Sequence, residues 1–287
     1  MKHPVRYRLE LYLAQLFWAL FAALPVAMAS SLGGALGGLV GRLPPLARRA
    51  ERNLQLAMPE LSQPERTAII AGVWQNLGRT LGELPHLRDF TLTEDPPGPG
   101  QIQLVGGEKL LAHVGQARGA ILFGGHLANW ELMPVVVAGH AEAAHVVYRA
   151  PNNPLIDKWL QDFRKGIALS TLAKGPAAAR GLLSALKGGQ SVGMLVDQKM
   201  NDGIAVPFFG LPAMTAPALA QLALRQDIAV LPMRCERLDG TAFRMTVMDP
   251  LPHIKSGDHK ADVAAMMGQV NDLLEGWIRE RPEQWPK

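Results

Sequence analysis

The chain has 287 residues, a hydrophobic fraction of 48% and a formal net charge of +4. This length is enough for one or two domains with a full α/β core. Its single cysteine, Cys235, excludes an intrachain disulfide framework and a cysteine-based zinc site, and its apolar neighbours favour a buried strand thiol. The scattered histidines form no His-Glu-x-x-His pattern, so no metal and no cofactor are predicted. The basic residues are spread out without an aromatic-basic platform, which argues against nucleic-acid binding.

The N-terminal segment is the most apolar part of the chain. Residues 11–29 are apolar apart from Gln15, and a run of about 20 residues is long enough to span a bilayer. A cleaved secretory signal or a buried amphipathic helix pair are alternatives, but the apolar stretch continues as Gly33–Gly41 past a candidate cleavage site. The basic start favours a cytoplasmic N-terminus. We therefore expect a helical membrane anchor over residues 1–45, in the inner membrane, and a cytoplasmic domain over residues 46–287.

The rest of the chain alternates helices with strands, which predicts an α/β fold with a sheet flanked by helices. The predicted helices cover Leu46–Met58, Pro64–Leu84, Glu108–Ala117, Leu155–Lys165, Ala177–Leu186, Thr215–Gln226 and Asp262–Glu280. The predicted strands cover Gln101–Val105, Ala120–Phe123, His145–Tyr148, Ile167–Thr171, Val192–Val196, Ile228–Cys235 and Phe243–Met248. Residues 206–210 are predicted to form an apolar loop.

The stretch Gly-Gly-His-Leu-Ala-Asn-Trp-Glu, residues 124–131, follows a predicted buried strand. The two glycines turn the chain, which places His126 just past the strand and Glu131 in the first turns of a helix. Histidine is suited to take a proton near neutral pH, and a carboxylate on its second nitrogen fixes the tautomer that acts as a base. Partners on a regular helix are three or four residues apart. His126 and Glu131 therefore meet only if His126 lies on the turn; a core histidine with a solvated glutamate is the alternative.

Polar side chains also follow two other predicted strands. Arg149 comes directly after the strand that ends at Tyr148, and Asp197 and Gln198 come directly after the strand that ends at Val196. In an open α/β sheet, ligands bind beyond the carboxyl ends of the strands. The placement of these side chains and His126 therefore predicts a common site at one edge of the sheet.

The pattern of a histidine, four residues and an acid after a strand resembles the signature of glycerolipid and lipid A acyltransferases. The fuller form Gly-Gly-His-x-x-Asn-Trp-Glu resembles the bacterial lipid A late acyltransferase family of the lauroyl/myristoyl type. Residues 74–80 and the ending Arg-Pro-Glu-Gln-Trp-Pro also resemble segments of that family. The resemblance implies a glycerolipid acyltransferase-like mixed sheet in residues 46–287. It also implies an enzyme of lipopolysaccharide biosynthesis that carries a fatty acyl chain from acyl carrier protein to a hydroxyl of a Kdo-bearing lipid A precursor.

The resemblance also implies roles for individual residues. His126 would remove the proton of the acceptor hydroxyl, Glu131 would orient His126 and balance its charge, and backbone N–H groups near Gly124 and Gly125 would stabilise the oxyanion. No Ser lies in a Gly-x-Ser-x-Gly elbow, which argues against serine hydrolase chemistry.

Four further residues match positions of substrate-binding residues in the family: Arg149, Arg164, Asp197 and Gln198. The arginines would hold phosphate or carboxylate groups of the substrates, and Asp197 would fix one of the arginines. The alternatives are surface or helix-capping arginines and an aspartate that caps a strand end.

Two other functions remain open from the sequence. The same chemistry could act on another membrane lipid, such as a lysophospholipid, an aminolipid or a glycolipid. Alternatively, the chain could be a non-catalytic membrane-bound lipid-binding protein that keeps the fold.

Overall fold

The computed structural model describes residues 4–114, 119–140, 144–148, 150–165, 169–173 and 176–286. Its helices are α1 (Pro4–Ala22), α2 (Val26–Val40), α3 (Pro44–Ala57), α4 (Gln63–Glu83), α5 (Gly107–His113), α6 (Leu132–Ala138), α7 (Pro154–Lys165), α8 (Pro176–Lys187), α9 (Ala218–Gln226) and α10 (His259–Glu280). Its strands are β1 (Thr91–Thr93), β2 (Gln101–Val105), β3 (Ile121–Gly124), β4 (Ala144–Tyr148), β5 (Leu169–Ala173), β6 (Ser191–Leu195), β7 (Ile204–Phe208), β8 (Leu211–Thr215), β9 (Val230–Asp239) and β10 (Ala242–Val247). Short 3₁₀ turns follow α4 and α10, at Leu84–His86 and Pro282–Gln284.

Eight of these strands form one mixed sheet in the order β1-β2-β10-β9-β3-β6-β4-β5. Neighbouring strands are parallel throughout, except for the antiparallel pair β9 and β10. β7 and β8 form a separate antiparallel hairpin. The predicted α/β fold with a mixed sheet and flanking helices is confirmed, and β3 lies in its interior between β9 and β6.

β3 is buried on both of its faces. Ile121 and Phe123 belong to the apolar core formed with α8, α9 and α10, whereas Leu122 belongs to the core formed with α5 and α6. This alternation follows from the two-residue period of a strand. The ring of Phe123 stacks on Trp277 of α10, with 6.3 Å between the centroids. The end of β3 is therefore fixed by both layers, which makes it a rigid support for the residues that follow.

The apolar N-terminal run is divided between two helices. α1 ends at Ala22, and α2 begins at Val26, directly after Pro25. A proline lacks the backbone N–H and disfavours helical geometry in the residue before it, which accounts for a break at this point. Judged by length and composition, none of the described helices qualifies alone as a membrane span, whereas α2 and α3 qualify together as a pair bent by 91°.

α2 packs along α4 through glycines on both helices. A Cβ at Gly33 would collide with the carbonyl oxygen of Gly78, and a Cβ at Gly82 would lie 2.5 Å from the carbonyl oxygen of Ala29. The absence of side chains at these positions lets the two backbones approach closely. The second helix of the predicted N-terminal segment is therefore in direct contact with the domain that follows it.

The prediction of an apolar loop over residues 206–210 is wrong, because these residues form the end of β7 and the turn of a β7–β8 hairpin. Phe209 and Gly210, with φ of 50° and 70°, form its two-residue turn. Two-residue turns with positive φ at both central residues match the twist of the flanking strands. Such turns are usually signalled by Asn-Gly or Asp-Gly, so the Phe-Gly sequence does not predict a hairpin here. β8 also occupies the start of the predicted Thr215–Gln226 helix, so that α9 begins only at Ala218.

Candidate active site

His126 and Asp197 are brought together by two neighbouring parallel strands. β3 and β6 pair with Gly124 opposite Leu195. Each of the two side chains follows its strand by two residues, so both leave the carboxyl edge of the sheet at the same level. This is the edge at which the alternation of strands and helices predicted a site.

The carboxylate of Asp197 holds His126 at two points. Its Oδ1 lies 2.6 Å from His126 Nδ1, and its Oδ2 accepts the backbone N–H of His126 at 2.9 Å. Oδ2 also accepts the indole N–H of Trp285 at 2.9 Å. The side chain of Asp197 is 0% exposed and that of His126 is 15% exposed. A buried carboxylate with three N–H groups around it is held in one orientation, and so is the imidazole that it contacts.

The contact between Asp197 and Nδ1 of His126 decides which nitrogen of the neutral imidazole carries the proton. A carboxylate only accepts, so Nδ1 donates to Asp197 and Nε2 presents its lone pair. The amide nitrogen of Gln198 lies 3.2 Å from Nε2, and the ring of Trp130 lies 5.0 Å from the imidazole ring between centroids. His126 therefore has the tautomer that a general base requires, with Gln198 beside the reactive nitrogen.

Glu131 has a different partner from the one that the sequence predicted. Its carboxylate lies 3.4 Å from the Arg164 guanidinium, and among the described residues it makes no hydrogen bond to His126. The residue before α6 is Glu131, so its side chain leaves from the start of that helix, whereas Nδ1 of His126 faces the end of β6. The sequence placed Glu131 at Nδ1; the structure places Asp197 there.

Three of the four predicted substrate-binding residues lie in the part of the chain that the structure describes. Asp197 contacts His126, Gln198 lies at Nε2, and Arg164 pairs with Glu131. Arg149 lies outside the described residues. In the part of the chain that the structure describes, no group of three His, Cys, Asp or Glu residues is arranged to hold a metal ion.

The turn after His126 is held by α4 and by the C-terminal tail. Ala128 has a positive φ of 50°, a conformation that is unfavourable for a residue with a Cβ. Its carbonyl oxygen accepts hydrogen bonds from Thr80 at 2.9 Å and Asn76 at 3.1 Å, and its N–H donates to the carbonyl oxygen of Gln284 at 3.0 Å. These contacts offset the strain and keep the turn in place.

The backbone donors of this turn are engaged inside the protein. The N–H of His126 donates to Asp197, that of Leu127 donates to the carbonyl of Gly125, and that of Ala128 donates to Gln284. Three amides next to the predicted oxyanion position are therefore committed to holding the turn.

A buried polar network lies behind the same turn. Glu83, at the end of α4, forms an ion pair with Arg237 on β9 and accepts hydrogen bonds from Ser30 at 2.6 Å and Asn129 at 2.8 Å. Its side chain is 0% exposed. A buried charge or polar group is costly unless it has a partner. The partners in this network come from α2, α4, β9 and the His126 turn, so the network joins these four parts of the chain.

Cys235 also lies next to this network. Its thiol is 3.4 Å from the carbonyl oxygen of Asn129, and burial raises the pKa of the thiol to about 12. The prediction of a buried strand thiol is confirmed. At neutral pH this sulfur is protonated and is not a nucleophile.

The sequence patterns do not predict three contributors to the site. Trp285 belongs to the ending that resembles the family, and Glu83 and Arg237 lie in no functional motif. Arg237 is one of four charged residues in β9, and the sequence pattern does not single it out as the one with a buried partner.

The mixed α/β sheet carries the His126–Asp197 pair at its carboxyl edge, where open α/β sheets bind their ligands. A sequence model of the bacterial lipid A biosynthesis acyltransferases matches residues 1–286. The chain therefore belongs to this family and is an acyltransferase, as its motifs predicted.

Individual relatives agree with this assignment. The chain is 29% identical to the lipid A biosynthesis lauroyltransferase of Escherichia coli (strain K12), over 83% of this chain and 76% of that protein. It is 28% identical to the lipid A biosynthesis palmitoleoyltransferase of the same organism, over 82% of this chain and 75% of that protein. A lipid A biosynthesis acyltransferase of Shigella flexneri is also 28% identical, with the same coverage.

Proposed function

We propose that this acyltransferase carries a fatty acyl chain from acyl carrier protein to a hydroxyl of a Kdo-bearing lipid A precursor, with His126 as the general base. The observation that supports the proposal best is the hydrogen bond between His126 Nδ1 and the buried carboxylate of Asp197. Family membership supports lipid A as the acceptor. The names of the relatives cover two acyl chains, lauroyl and palmitoleoyl, so members of the family share the transfer chemistry and not one chain length.

The reaction needs one proton acceptor and no covalent intermediate. Nε2 of His126 takes the proton of the acceptor hydroxyl. At the same time the hydroxyl oxygen attacks the thioester carbonyl of the acyl donor. The tetrahedral intermediate collapses to an ester, and the thiolate of the carrier leaves. The imidazolium then returns its proton to the sulfur, which restores the neutral ring. Asp197 stabilises the positive charge that His126 carries between the two transfers.

Gln198 is placed to assist at the reactive nitrogen. Its amide nitrogen, 3.2 Å from Nε2, occupies the position in which an acceptor hydroxyl has to lie. In the proposed mechanism the hydroxyl displaces this amide from the lone pair, and the side chain of Gln198 then bonds to the substrate. We therefore assign Gln198 to substrate binding.

Glu131 and Arg164 form the second part of the proposed site. Arg164, with 19% of its side chain exposed, presents a guanidinium that matches the geometry of phosphate oxygens. Glu131 fixes that guanidinium through their 3.4 Å ion pair. We assign Arg164 to a phosphate of the acceptor or donor and Glu131 to the orientation of Arg164, with Arg149 as a further phosphate ligand from the sequence match.

The outer faces of α1 and α2 support a membrane-bound enzyme. The exposed apolar side chains recur at helical spacing and comprise Val5, Leu9, Tyr12, Leu13, Leu16 and Leu20 on α1 and Met28, Leu32, Leu36 and Leu39 on α2. Trp18 lies on the opposite face of α1, against Trp159 and Phe163 of α7. Large exposed apolar surfaces of this kind mark interaction with a membrane or a partner. We propose that they anchor the enzyme in the inner membrane, with the site on the cytoplasmic side.

α3 adds positive charge beside this apolar surface. Arg42, Arg48, Arg49 and Arg52 are exposed on or next to α3. Basic side chains beside an apolar surface bind anionic lipid head groups, and they also attract an acidic protein such as acyl carrier protein. The proposed donor and the proposed membrane therefore fit the charge of the same region.

Mass spectrometry of lipid A from cells with and without this gene tests the function. We expect the deletion to remove one acyl chain, and wild type to restore it while His126→Ala does not. His113→Ala is the matched control, since His113 on α5 bonds only to the carbonyl of Lys109 within its own helix among the described residues. An unchanged lipid A profile, together with the loss of another acylated lipid from the same extracts, would contradict lipid A as the acceptor. The acceptor would then be the precursor of the missing lipid.

A further inference from the structure

The C-terminal tail passes directly alongside the proposed catalytic pair. After α10 ends at Glu280, the tail makes a 3₁₀ turn and reaches Asp197 with the indole of Trp285. We propose that Trp285 is a positioning residue for the acyl transfer, which acts through the hydrogen bond of its indole N–H to Asp197 Oδ2. This inference rests on the proposed role of His126 as the general base.

The tail is fixed by hydrogen bonds of Gln284. Its side-chain amide accepts the N–H of Arg237 at 2.9 Å and donates to the carbonyl of Arg237 at 2.8 Å. β3 pairs with β9 only at residues 230–232 of β9, so Arg237 lies beyond the end of β3. Gln284 bonds to the backbone of Arg237 there, as a neighbouring strand would. Its own carbonyl accepts the N–H of Ala128 in the His126 turn. One residue therefore couples the tail to the sheet and to the catalytic turn.

The indole of Trp285 is fixed on its other side by the β7–β8 hairpin. Its ring stacks on Phe209, with 6.2 Å between centroids and 25° between planes, and meets the edge of Phe208 at 6.1 Å. Phe209 is itself held by α10, because its N–H donates to Glu275 at 2.6 Å and the guanidinium of Arg279 lies over its ring at 4.9 Å. The hairpin and the tail together aim the indole N–H at Asp197.

The bond to Trp285 affects the chemistry through the carboxylate. Two N–H donors on Oδ2, from Trp285 and from the backbone of His126, keep Oδ1 turned towards Nδ1 of His126. They also stabilise the negative charge of a buried group. Loss of the indole N–H lets the carboxylate turn away from Nδ1 and leaves its charge less well compensated. The imidazole is then held less firmly, and the affinity of the His126–Asp197 pair for a proton changes.

The decisive variant is Trp285→Phe, which keeps an aromatic ring against Phe208 and Phe209 but removes the N–H donor. We expect kcat to fall about 10- to 100-fold, the range for one lost hydrogen bond to a charged group, with KM changed less than about twofold. The acid limb of the kcat profile should shift, because the donors on Asp197 influence how readily the pair binds a proton. The charged groups of α10 at the hairpin tip, Glu275 and Arg279, pair with each other and are present in every variant.

Trp74→Phe is the matched control. The indole N–H of Trp74 on α4 is buried but bonds to no other described residue, so its removal costs no hydrogen bond. This control should keep the kcat and the pH profile of the wild type. Replacement of Trp285 by benzothienylalanine, which has the shape of Trp without the N–H, separates the hydrogen bond from packing if Trp285→Phe folds poorly.

The outcomes distinguish this inference from the proposed function. An unmoved acid limb in both Trp285 variants, with any loss of activity explained by a lower melting temperature, would make Trp285 purely structural and overturn the inference alone. Full activity of His126→Ala would overturn the general-base mechanism, and the inference with it. A lower kcat and a shifted acid limb in both Trp285 variants, beside a wild-type Trp74→Phe, support a positioning role.

Discussion

Glu83 and Arg237 form a two-point ion pair next to the turn that carries His126, with Nη1 to Oε1 at 2.5 Å and Nη2 to Oε2 at 3.0 Å. The exposed fractions of the two side chains are 0% for Glu83 and 8% for Arg237. Both come from elements far apart in the chain, the end of α4 and the second half of β9. The pair is therefore a fixed point to which the His126 turn is attached through Asn129.

Glu83→Gln should destabilise the protein strongly. Removal of one partner of a buried ion pair leaves the charge of Arg237 uncompensated and costs about 3–5 kcal/mol. Urea denaturation of the detergent-solubilised protein, followed by tryptophan fluorescence, measures this change. Asp162→Asn on α7 is the control, because its pair with Lys158 is exposed and its loss should leave the midpoint unchanged. Equal midpoints for Glu83→Gln and the control would contradict a structural role for the pair.

A second prediction concerns the contact between α2 and α4. Gly33→Ala places a methyl group against the carbonyl of Gly78, and the helices must separate, which should cost about 1–3 kcal/mol. Gly38→Ala on the same helix meets only the flexible side chain of Gln75 at 3.4 Å, and should be neutral or stabilising by up to about 1 kcal/mol. Thermal melts of both variants check the sign of each change. Equal losses would mean that the close approach at Gly33 is not needed.

A third prediction separates the two carboxylates of the site. Asp197→Asn removes the charge at Nδ1 and permits the wrong imidazole tautomer, so kcat should fall about 10²- to 10⁴-fold with little change in KM. Glu131→Gln removes the ion pair between Glu131 and Arg164, so KM for the phosphorylated substrate should rise about tenfold, equivalent to 1.4 kcal/mol of binding. Steady-state kinetics with purified enzyme distinguish the two. A larger fall in kcat for Glu131→Gln than for Asp197→Asn would return the orienting role to Glu131, as the sequence first predicted.

The sequence predicted the local parts of this site, but it did not predict which carboxylate contacts Nδ1 of His126. The apolar run before Gly124 and the glycine turn predicted that His126 follows a buried strand, and the same reasoning placed Asp197 after another. Which strands are neighbours depends on tertiary order: β6 lies beside β3 although β4 and β5 intervene in the chain. The nearest acid in sequence, Glu131, was therefore preferred over the nearest acid in space. Trp285 is 88 residues from Asp197, and no local pattern predicts that contact.

The last prediction concerns acid stability at the start of α10. Asp262 Oδ1 accepts the hydroxyl of Ser256 at 2.6 Å and its backbone N–H at 2.9 Å. The hydroxyl bond first, and then the backbone bond, lower the pKa of the Asp262 carboxyl from its ordinary value of 3.8. Because the folded pKa is the lower one, the stabilisation is complete above about the ordinary pKa and is lost as the pH falls through the folded value.

A double-mutant cycle of Ser256→Ala and Asp262→Asn measures this contact directly. The coupling between the two changes should be present at pH 7 and should shrink as the pH falls below 3.8, because the carboxylate that accepts both bonds becomes protonated. Chemical denaturation at a series of pH values gives the coupling at each point. A coupling that is constant across this range would mean that the bond of Ser256 does not depend on the charge of Asp262, and that acid unfolding begins elsewhere.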